Sequence, residues 1–187
     1  MRIIAGKYRG RRLRSPPSLE VRPTSDRLRE TLFNVIAPRI ESARFLDLCA
    51  GSGAVGIEAL SRGATHITFV DHSRKMCELI RVNQDLCRIS EEHAAVVMSE
   101  AAEFLRKAVT RKTEPWDIVF FDPPYPTDYG PVLTAFSTHA STLLTPDGLL
   151  VVEHDKRKEL EDDFGPLHRR RRLEQGDSTL SFYELLK

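Results

Sequence analysis

Residues 46–56 of the chain read Leu46-Asp47-Leu48-Cys49-Ala50-Gly51-Ser52-Gly53-Ala54-Val55-Gly56. An apolar run leads into three glycines, and a helical pattern begins among them. Glycines let the backbone turn sharply and pass close to a ligand, and a helix N-terminus favours polar or anionic groups. The stretch therefore predicts a strand, a ligand-binding loop and a helix, which form the first unit of a Rossmann-like sheet.

On either side of this loop, the pattern is one of alternating strands and helices. Apolar runs predict strands at 44–49, 66–70, 94–98, 117–121 and 149–153, separated by helices at 54–62, 73–87, 101–109 and 129–144. Two further strands, 168–173 and 178–185, have no helix between them, which predicts an antiparallel hairpin. We expect an α/β fold with a Rossmann-like, doubly wound, mostly parallel seven-stranded sheet and an antiparallel C-terminal hairpin.

The N-terminal part of the chain has a different pattern. Short runs at 2–5 and 11–14 indicate a small β-hairpin. Thr24 or Ser25 is expected to cap a helix that ends at Pro38. The sequence thus predicts two units, a hairpin-and-helix extension over 1–40 and an α/β domain over 41–187.

Composition points to a globular protein of a reducing compartment. The 187 residues are 41% hydrophobic and 29% charged, with a net charge of +1. The three cysteines and six histidines lack metal-ligand spacing, so a metal site is not expected. No apolar run approaches the roughly 18 residues of a membrane span, and no signal-peptide core is present. We expect a cytoplasmic protein without membrane contact.

Basic residues are concentrated near the two ends of the chain. The first 19 residues carry no acid and six basic residues, and a second basic cluster occupies 168–172. Such patches on a near-neutral protein suit contact with phosphates, although a solvated charged face is the alternative for each. Arg22, Arg27 and Arg29 suit either phosphate contacts or ion pairs that dock the first helix.

The stretch Asp122-Pro123-Pro124-Tyr125 ends the fourth strand. Two prolines cannot continue a sheet ladder, because each lacks a backbone N–H group. An acid, free carbonyls and a ring in this order would hold an amino-bearing heterocycle, with Asp122 and a proline carbonyl accepting its N–H bonds and Tyr125 covering its face. The other interpretation is an ordinary proline-rich turn.

The glycine loop fits two kinds of cofactor. Its Gly51-x-Gly53-x-x-Gly56 spacing matches the dinucleotide fingerprint, and Asp71 lies where a ribose-binding acid is expected. Asp47, however, needs a cationic or N–H partner at an apolar strand end, and the ammonium group of S-adenosylmethionine would supply one. A pyrophosphate would be repelled there, and NAD would leave Asp122–Tyr125 without a role. Asp47 could instead be a capping carboxylate that orders the loop.

These motifs together resemble the RsmD family of class I S-adenosylmethionine-dependent methyltransferases. The resemblance extends to Arg2–Gly6, to the block Arg22-Pro23-Thr24-Ser25-Asp26-Arg27, and to the ending Leu180-Ser181-Phe182-Tyr183. It covers the whole chain. Members of this bacterial family methylate guanine N2 in 16S ribosomal RNA.

The resemblance implies the roles of the cofactor residues and of the residues that hold the base, whereas the RNA-contact residues follow from the basic charge of the N-terminal part. The cofactor would be bound by Asp47, Ala50, Gly51, Ser52, Gly53, Asp71, His72, Ser73, Glu100 and Ala101. Family members more often have Asp at position 100, and Cys49 is expected to be a core residue. The target base would be held by the catalytic set Asp122, Pro123, Pro124 and Tyr125. RNA would be contacted by Arg2, Lys7, Arg9, Arg11, Arg12, Arg14, Arg22 and Arg27.

The expected reaction is direct in-line methyl transfer to the N2 amine of a flipped guanine. Asp122 is expected to orient the amine rather than act as a base. The expected partner is 16S rRNA within a partly or fully assembled small ribosomal subunit, and the protein is expected to be a monomer. Three alternatives remain: an adenine-N6 methyltransferase on DNA or RNA, an NAD-dependent oxidoreductase, and a non-catalytic RNA-binding module.

Overall fold

Eight strands form one sheet in the computed structural model, which describes residues 1–16, 25–124 and 127–186. They are β1 (Arg44–Leu48), β2 (His66–Asp71), β3 (Ala94–Met98), β4 (Trp116–Phe121), β5 (Leu144–Asp155), β6 (Asp163–Phe164), β7 (Leu167–Gln175) and β8 (Ser178–Leu185). Their order is β3-β2-β1-β4-β5-β8-β7-β6. The first five strands are parallel, and β6, β7 and β8 pair antiparallel. The parallel strands all end at one edge, called here the carboxyl edge.

Helices cover both faces of the sheet. They are α1 (Asp26–Ile40), α2 (Ala54–Ser61), α3 (Arg74–Cys87), α4 (Ala101–Thr110) and α5 (Gly130–Leu143). Strand side chains alternate between the faces, so Phe120 packs in the core with α1, α2 and α3, whereas Phe121 packs in the core with α4 and α5. The predicted doubly wound architecture with a C-terminal hairpin is therefore confirmed.

Three details differ from the sequence-based prediction. The sheet has eight strands instead of seven, because β6 has two residues and is too short to show an alternating pattern. Helix α1 continues through Pro38 to Ile40, whose side chain is buried one turn after Ile36 and holds the last turn on the core. The predicted N-terminal hairpin contains a single antiparallel bridge, between Arg2 and Arg12.

Side-chain caps begin two helices, and the cap of α1 is one of the two expected residues. The Ser25 hydroxyl accepts a hydrogen bond from Leu28 N at 3.2 Å at the start of α1. The Ser73 hydroxyl accepts one from Met76 N at 3.4 Å at the start of α3. Thr24, the other candidate cap for α1, lies outside the described residues.

The N-terminal segment, residues 1–16, is fixed to α2 by a buried carboxylate. Glu58 is fully buried and accepts hydrogen bonds from Ile4 N at 2.8 Å and Ala5 N at 3.0 Å. Ile3 and Leu13 of the segment are buried in the core shared with α1 and α2. The predicted boundary near residue 40 stays a prediction.

Arg29 of α1 lies in the same buried network. Its side chain is fully buried and donates to Arg2 O at 2.8 Å and to Asp26 Oδ1 at 2.6 Å. Its second terminal nitrogen lies 3.9 Å from Glu58 Oε2. Of the two interpretations of Arg29, ion pairing that docks the first helix is therefore the one observed.

Strand β7 forms most of the far edge of the sheet. Within the described residues, only Asp163 and Phe164 of β6 pair with its outer side. A shift of register interrupts its pairing with β8 between Arg169 and Arg171. Arg170, Arg171 and Arg172 are exposed there.

Candidate functional site

Carboxylates converge at the carboxyl edge, where three neighbouring parallel strands end. Asp47 lies in β1, Asp71 ends β2, and Asp122 follows β4. Asp122 N donates to Leu48 O at 3.3 Å, so the pairing of β4 with β1 continues one residue beyond the strand. Burial raises the pKa of the Cys49 thiol, and the charges of Asp71, Asp122, Asp47 and Glu100 raise it further. Four acids predicted from different parts of the sequence therefore lie around the same thiol.

The glycine loop between β1 and α2 has a left-handed backbone at three residues. The φ angles are 63° at Cys49, 55° at Gly51 and 76° at Gly53. A non-glycine residue in this region is strained, and such residues cluster at functional sites. Cys49 is partly exposed and packs against the core that contains Phe121, so the expectation that it is a core residue is met only in part.

Gly51 and Gly56 serve different purposes in this loop. A Cβ atom added at Gly51 would meet nothing within 4 Å, which leaves open space above the loop. One added at Gly56 would lie 2.3 Å from the Phe69 ring. Gly56 thus allows α2 to pack closely on the sheet, whereas Gly51 leaves room for a ligand to approach the backbone.

Asp71 orders both loops that follow β1 and β2. Its Oδ2 accepts from Gly51 N at 2.9 Å, and its Oδ1 accepts from Ser73 N at 2.8 Å. The neighbouring His72 is exposed, with its Nδ1 atom 3.9 Å from Asp71 Oδ1. The carboxylate that was predicted to bind a ribose therefore also fixes the glycine loop.

Asp47 is buried at the base of the loop. Its Oδ2 accepts from Gly56 N at 3.0 Å, as the capping alternative expects. Burial, above all, raises the pKa of Asp47 to about 8, and the charges of Asp122 and Asp71 add to the rise, while the Gly56 hydrogen bond opposes it. Asp47 is therefore mostly protonated at neutral pH and would ionise when a cation lies beside it.

Replacing Asp47 with asparagine should stabilise the ligand-free protein at alkaline pH. An acid with a raised pKa stabilises the fold below its unfolded pKa, near 4, and that stability is lost as the pH rises to about 8. The asparagine side chain keeps an oxygen for Gly56 N and carries no charge. The variant's advantage in free energy of unfolding should grow by about 2–4 kcal/mol between pH 5 and pH 9. Urea unfolding at both pH values measures it, and a constant difference would show that Asp47 titrates normally.

Other predicted cofactor residues lie on the same loops. Ala50 N donates to Val70 O at 3.0 Å, and Ser52 Oγ lies 3.7 Å from the Met1 sulfur. Glu100 is exposed at the N-terminus of α4, and its side chain makes no capping bond. Ala101 follows it and is partly buried. The structure therefore brings the predicted cofactor set together at one edge.

The catalytic set is described only in part. Asp122 is partly buried, Pro123 is buried, and Pro124 is exposed. The carbonyl of Pro124 accepts from Thr127 N at 2.8 Å, which makes the turn after the strand. Tyr125 lies outside the described residues, so the expected position of its ring stays a prediction.

Asn83 is a residue of this site that the sequence analysis missed. It is fully buried in α3, and its amide donates to Ser52 O at 2.9 Å and to Arg14 O at 3.1 Å. Its Oδ1 accepts from Arg14 N at 2.8 Å. A polar residue within the apolar stripe that contains Cys77, Ile80 and Cys87 was the available signal. Asn83 ties the glycine loop to the basic N-terminal segment.

The predicted RNA-binding residues that can be placed are exposed. They are Arg2, Lys7, Arg9, Arg11, Arg12, Arg14 and Arg27, whereas Arg22 lies outside the described residues. Arg2 lies 3.8 Å from Asp26, and Arg11 donates to Leu86 O at 3.4 Å. The N-terminal segment thus presents its basic side chains to solvent.

Two open depressions of the surface lie away from this site. One, of about 470 Å³, is lined by Arg39, Asp117 and Thr145 among others. The other, of about 340 Å³, lies between α5 and residues 158–164. Neither is lined by a predicted site residue. In the described part of the chain, no helix is long and apolar enough to cross a membrane, and no group of three or more His, Cys, Asp or Glu could hold a metal ion.

Comparison with known proteins gives concordant matches. Residues 1–184 match the family described as conserved hypothetical protein 95. The chain is 36% identical over 185 residues to a putative rRNA methyltransferase, YlbH, of Bacillus subtilis, with 98% of each chain covered. It is 46% identical over 125 residues to ribosomal RNA small subunit methyltransferase D of Escherichia coli, covering 67% of this chain and 60% of that protein.

Among solved structures, a putative methyltransferase, yhhF, from Escherichia coli superimposes with a TM-score of 0.84. It is 34% identical in sequence, and the match covers 99% of this chain and 97% of that one. The similarity therefore includes the N-terminal segment and the C-terminal hairpin as well as the central sheet.

Proposed function

The chain belongs to the family described as conserved hypothetical protein 95, the RsmD family, and from this premise we propose that it is an S-adenosylmethionine-dependent methyltransferase that modifies the N2 amine of a guanine in small-subunit ribosomal RNA. Two relatives carry names that describe rRNA methylation, one of them of the small subunit. The proposed substrate is RNA within a partly or fully assembled small subunit.

The carboxylates around the open glycine loop are the observation that supports S-adenosylmethionine as the cofactor. Asp71, Glu100 and Asp122 surround Cys49 beside the space above Gly51, and Asp47 would add a fourth charge when a cation lies beside it. A pyrophosphate would face this negative charge, whereas a ligand with sulfonium and ammonium groups would be attracted by it. The residues therefore fit S-adenosylmethionine better than NAD.

Each part of the proposed site has a separate task. Asp47 and the glycine loop would hold the amino-acid end of the cofactor, and Asp71 its ribose. When bound, S-adenosylmethionine supplies an electrophilic methyl group. Asp122 and the Pro123 carbonyl would accept hydrogen bonds from the target amine and hold its nitrogen in line with that group.

A methylation assay tests this function. The purified protein is incubated with S-adenosylmethionine and with small ribosomal subunits from a strain that lacks its own family member, and the RNA is digested for mass spectrometry. We expect 2-methylguanosine at one position. N6-methyladenosine would favour the adenine alternative. In thermal unfolding, S-adenosylhomocysteine should raise Tm, whereas NAD should not.

Basic side chains of the N-terminal segment should supply salt-dependent RNA affinity. Deleting the segment would also remove Ile3 and Leu13 from the core, so substitutions test the idea better. Changing the exposed Arg9 and Arg12 to glutamine should lower RNA affinity and reduce the slope of log K against log salt by about 1.4. The same change at the exposed Arg106 and Arg111 of the α4 end is the control. If the slope of log K against log salt were the same in both variants, the N-terminal segment would have a structural role only.

A further inference from the structure

Glu153 lies beside Asp122 at the carboxyl edge of the sheet. It belongs to β5 and is 4% exposed. Phe121 of β4 pairs with Val152 of β5, so the register places the next residues along, Asp122 and Glu153, at neighbouring positions on the carboxyl edge.

Glu153 also lies on the same face of the sheet as the candidate site. Side chains two residues apart in a strand share a face. Phe45, Phe69, Phe120 and Val151 all pack in the core with α1, α2 and α3. Each is followed two residues later by an acid, and these acids are Asp47, Asp71, Asp122 and Glu153.

The strand order arranges these four acids in a row along the carboxyl edge. Across the sheet the strands lie in the order β2-β1-β4-β5. The proposed cofactor residues Asp71 and Asp47 therefore lie on one side of Asp122, and Glu153 lies on the other. In an in-line transfer, the sulfur, the methyl carbon and the amine nitrogen lie on one line. That line meets the bond from the nitrogen to the ring at roughly a tetrahedral angle, so the ring is turned away from the methyl donor. A base whose amine is held at Asp122, with its ring turned away from Asp47 and Asp71, extends towards β5 and Glu153.

The hydrogen-bonding edge of guanine that contains N1 and N2 is complementary to a carboxylate at the position of Glu153. Next to its N2 amine, guanine carries an N1–H donor, whereas adenine has an acceptor nitrogen next to its amine. Flipped bases are recognised by hydrogen bonds to this edge. We propose that Glu153 accepts the N1–H of the target guanine and so selects guanine over other amino-bearing bases. This inference rests on the proposed function.

Contacts that Glu153 and Asp122 already make within the protein are compatible with this role. Both residues have such contacts. An ionised carboxylate offers about four lone-pair sites on two oxygens, so it can keep a protein partner and accept one more donor. A hydrogen bond from N1–H to a carboxylate is charge-assisted and about twice as strong as a neutral one.

The test replaces the target guanine with 2-aminopurine at the position that the methylation assay identifies. This base keeps the N2 amine but has an acceptor at N1, and it also lacks the O6 atom of guanine, a loss that is the same for the wild-type protein and for the variant below. The wild-type protein should methylate guanine roughly 100-fold more efficiently in kcat/KM, because 2-aminopurine leaves the Glu153 carboxylate without its donor. Fluorescence of 2-aminopurine, measured with S-adenosylhomocysteine present, gives the affinity for the flipped base independently of catalysis.

The Glu153→Gln variant should lose this preference. Its amide can donate to the N1 acceptor of 2-aminopurine, so the guanine preference should fall at least tenfold and the affinity for the 2-aminopurine RNA should rise. Glu184→Gln is the matched control, since Glu184 lies on β8 at the other end of the β5–β8 pairing, where it pairs with Leu149. An unchanged preference in Glu153→Gln would overturn the assignment.

The wild-type protein alone also tests the inference, even if the variant does not fold. Equal rates on guanine and 2-aminopurine would mean that no residue recognises N1–H, which overturns the role of Glu153 while the proposed function stands. Failure to methylate guanine in the unmodified subunit would overturn the proposed function itself. The two failures are therefore distinguishable.

Discussion

Replacing Asp122 with alanine is expected to slow methyl transfer to RNA by about 10²- to 10⁴-fold. The amine nitrogen of guanine is a weak nucleophile because its lone pair is delocalised into the ring. The Asp122 carboxylate would hold its hydrogens and stabilise the positive charge that develops on the nitrogen. Binding of S-adenosylhomocysteine, measured by calorimetry, should be nearly unchanged, because Asp47 and the glycine loop remain.

The Asp122→Asn variant separates two roles for this residue. Asparagine keeps an oxygen that accepts an N–H bond, but it cannot take up a proton at neutral pH. If Asp122 only orients the amine, Asp122→Asn should retain far more activity than Asp122→Ala. Asp85→Ala is the control, because Asp85 is an exposed acid near the C-terminus of α3. Near wild-type methylation by a folded Asp122→Ala protein would contradict the mechanism.

Replacing Glu58 with alanine is expected to lower the free energy of unfolding by about 3–5 kcal/mol. Glu58 is fully buried and accepts from Arg62 Nε at 2.8 Å as well as from Ile4 and Ala5. Its removal leaves the buried Arg29 without this countercharge and leaves two backbone N–H groups without their acceptor. Urea unfolding measures the loss, and hydrogen exchange at residues 1–14 should rise with it.

A surface ion pair provides the control for Glu58. Glu78 accepts from Arg74 Nε at 3.0 Å on α3, with both side chains more than half exposed. Exposed pairs of this kind contribute little, so Glu78→Ala should destabilise the protein far less. Similar losses in both variants would show that the buried network does not anchor the N-terminal segment.

The sequence was sufficient to predict the parts of the molecule that local patterns determine. Alternating apolar runs predicted the strands, and the glycines after Leu48 predicted the loop that lies beside Asp47 and Asp71. The prolines after Asp122 predicted the end of β4. These features depend on residues close together in the chain, where backbone restrictions act directly.

Features that depend on distant partners could not be predicted in this way. Asn83 bonds Arg14 across 69 positions of the chain, and Glu58 bonds Ile4 across 54. Pro38 lies within α1 because Ile40 packs in the core, which a local rule about proline does not include. The left-handed backbone of Cys49 likewise depends on the loop as a whole.

The arginines of β7 have a consequence for self-association. A strand edge without a full neighbour can pair with another chain, and natural sheets oppose this with charges and bulges. Strand β7 has both, since its register shifts between Arg169 and Arg171 and three consecutive arginines project from it. A second copy that added a strand there would bring like charges together. The basic residues 168–172, which suit phosphate contact, thus also oppose edge-to-edge aggregation of the sheet.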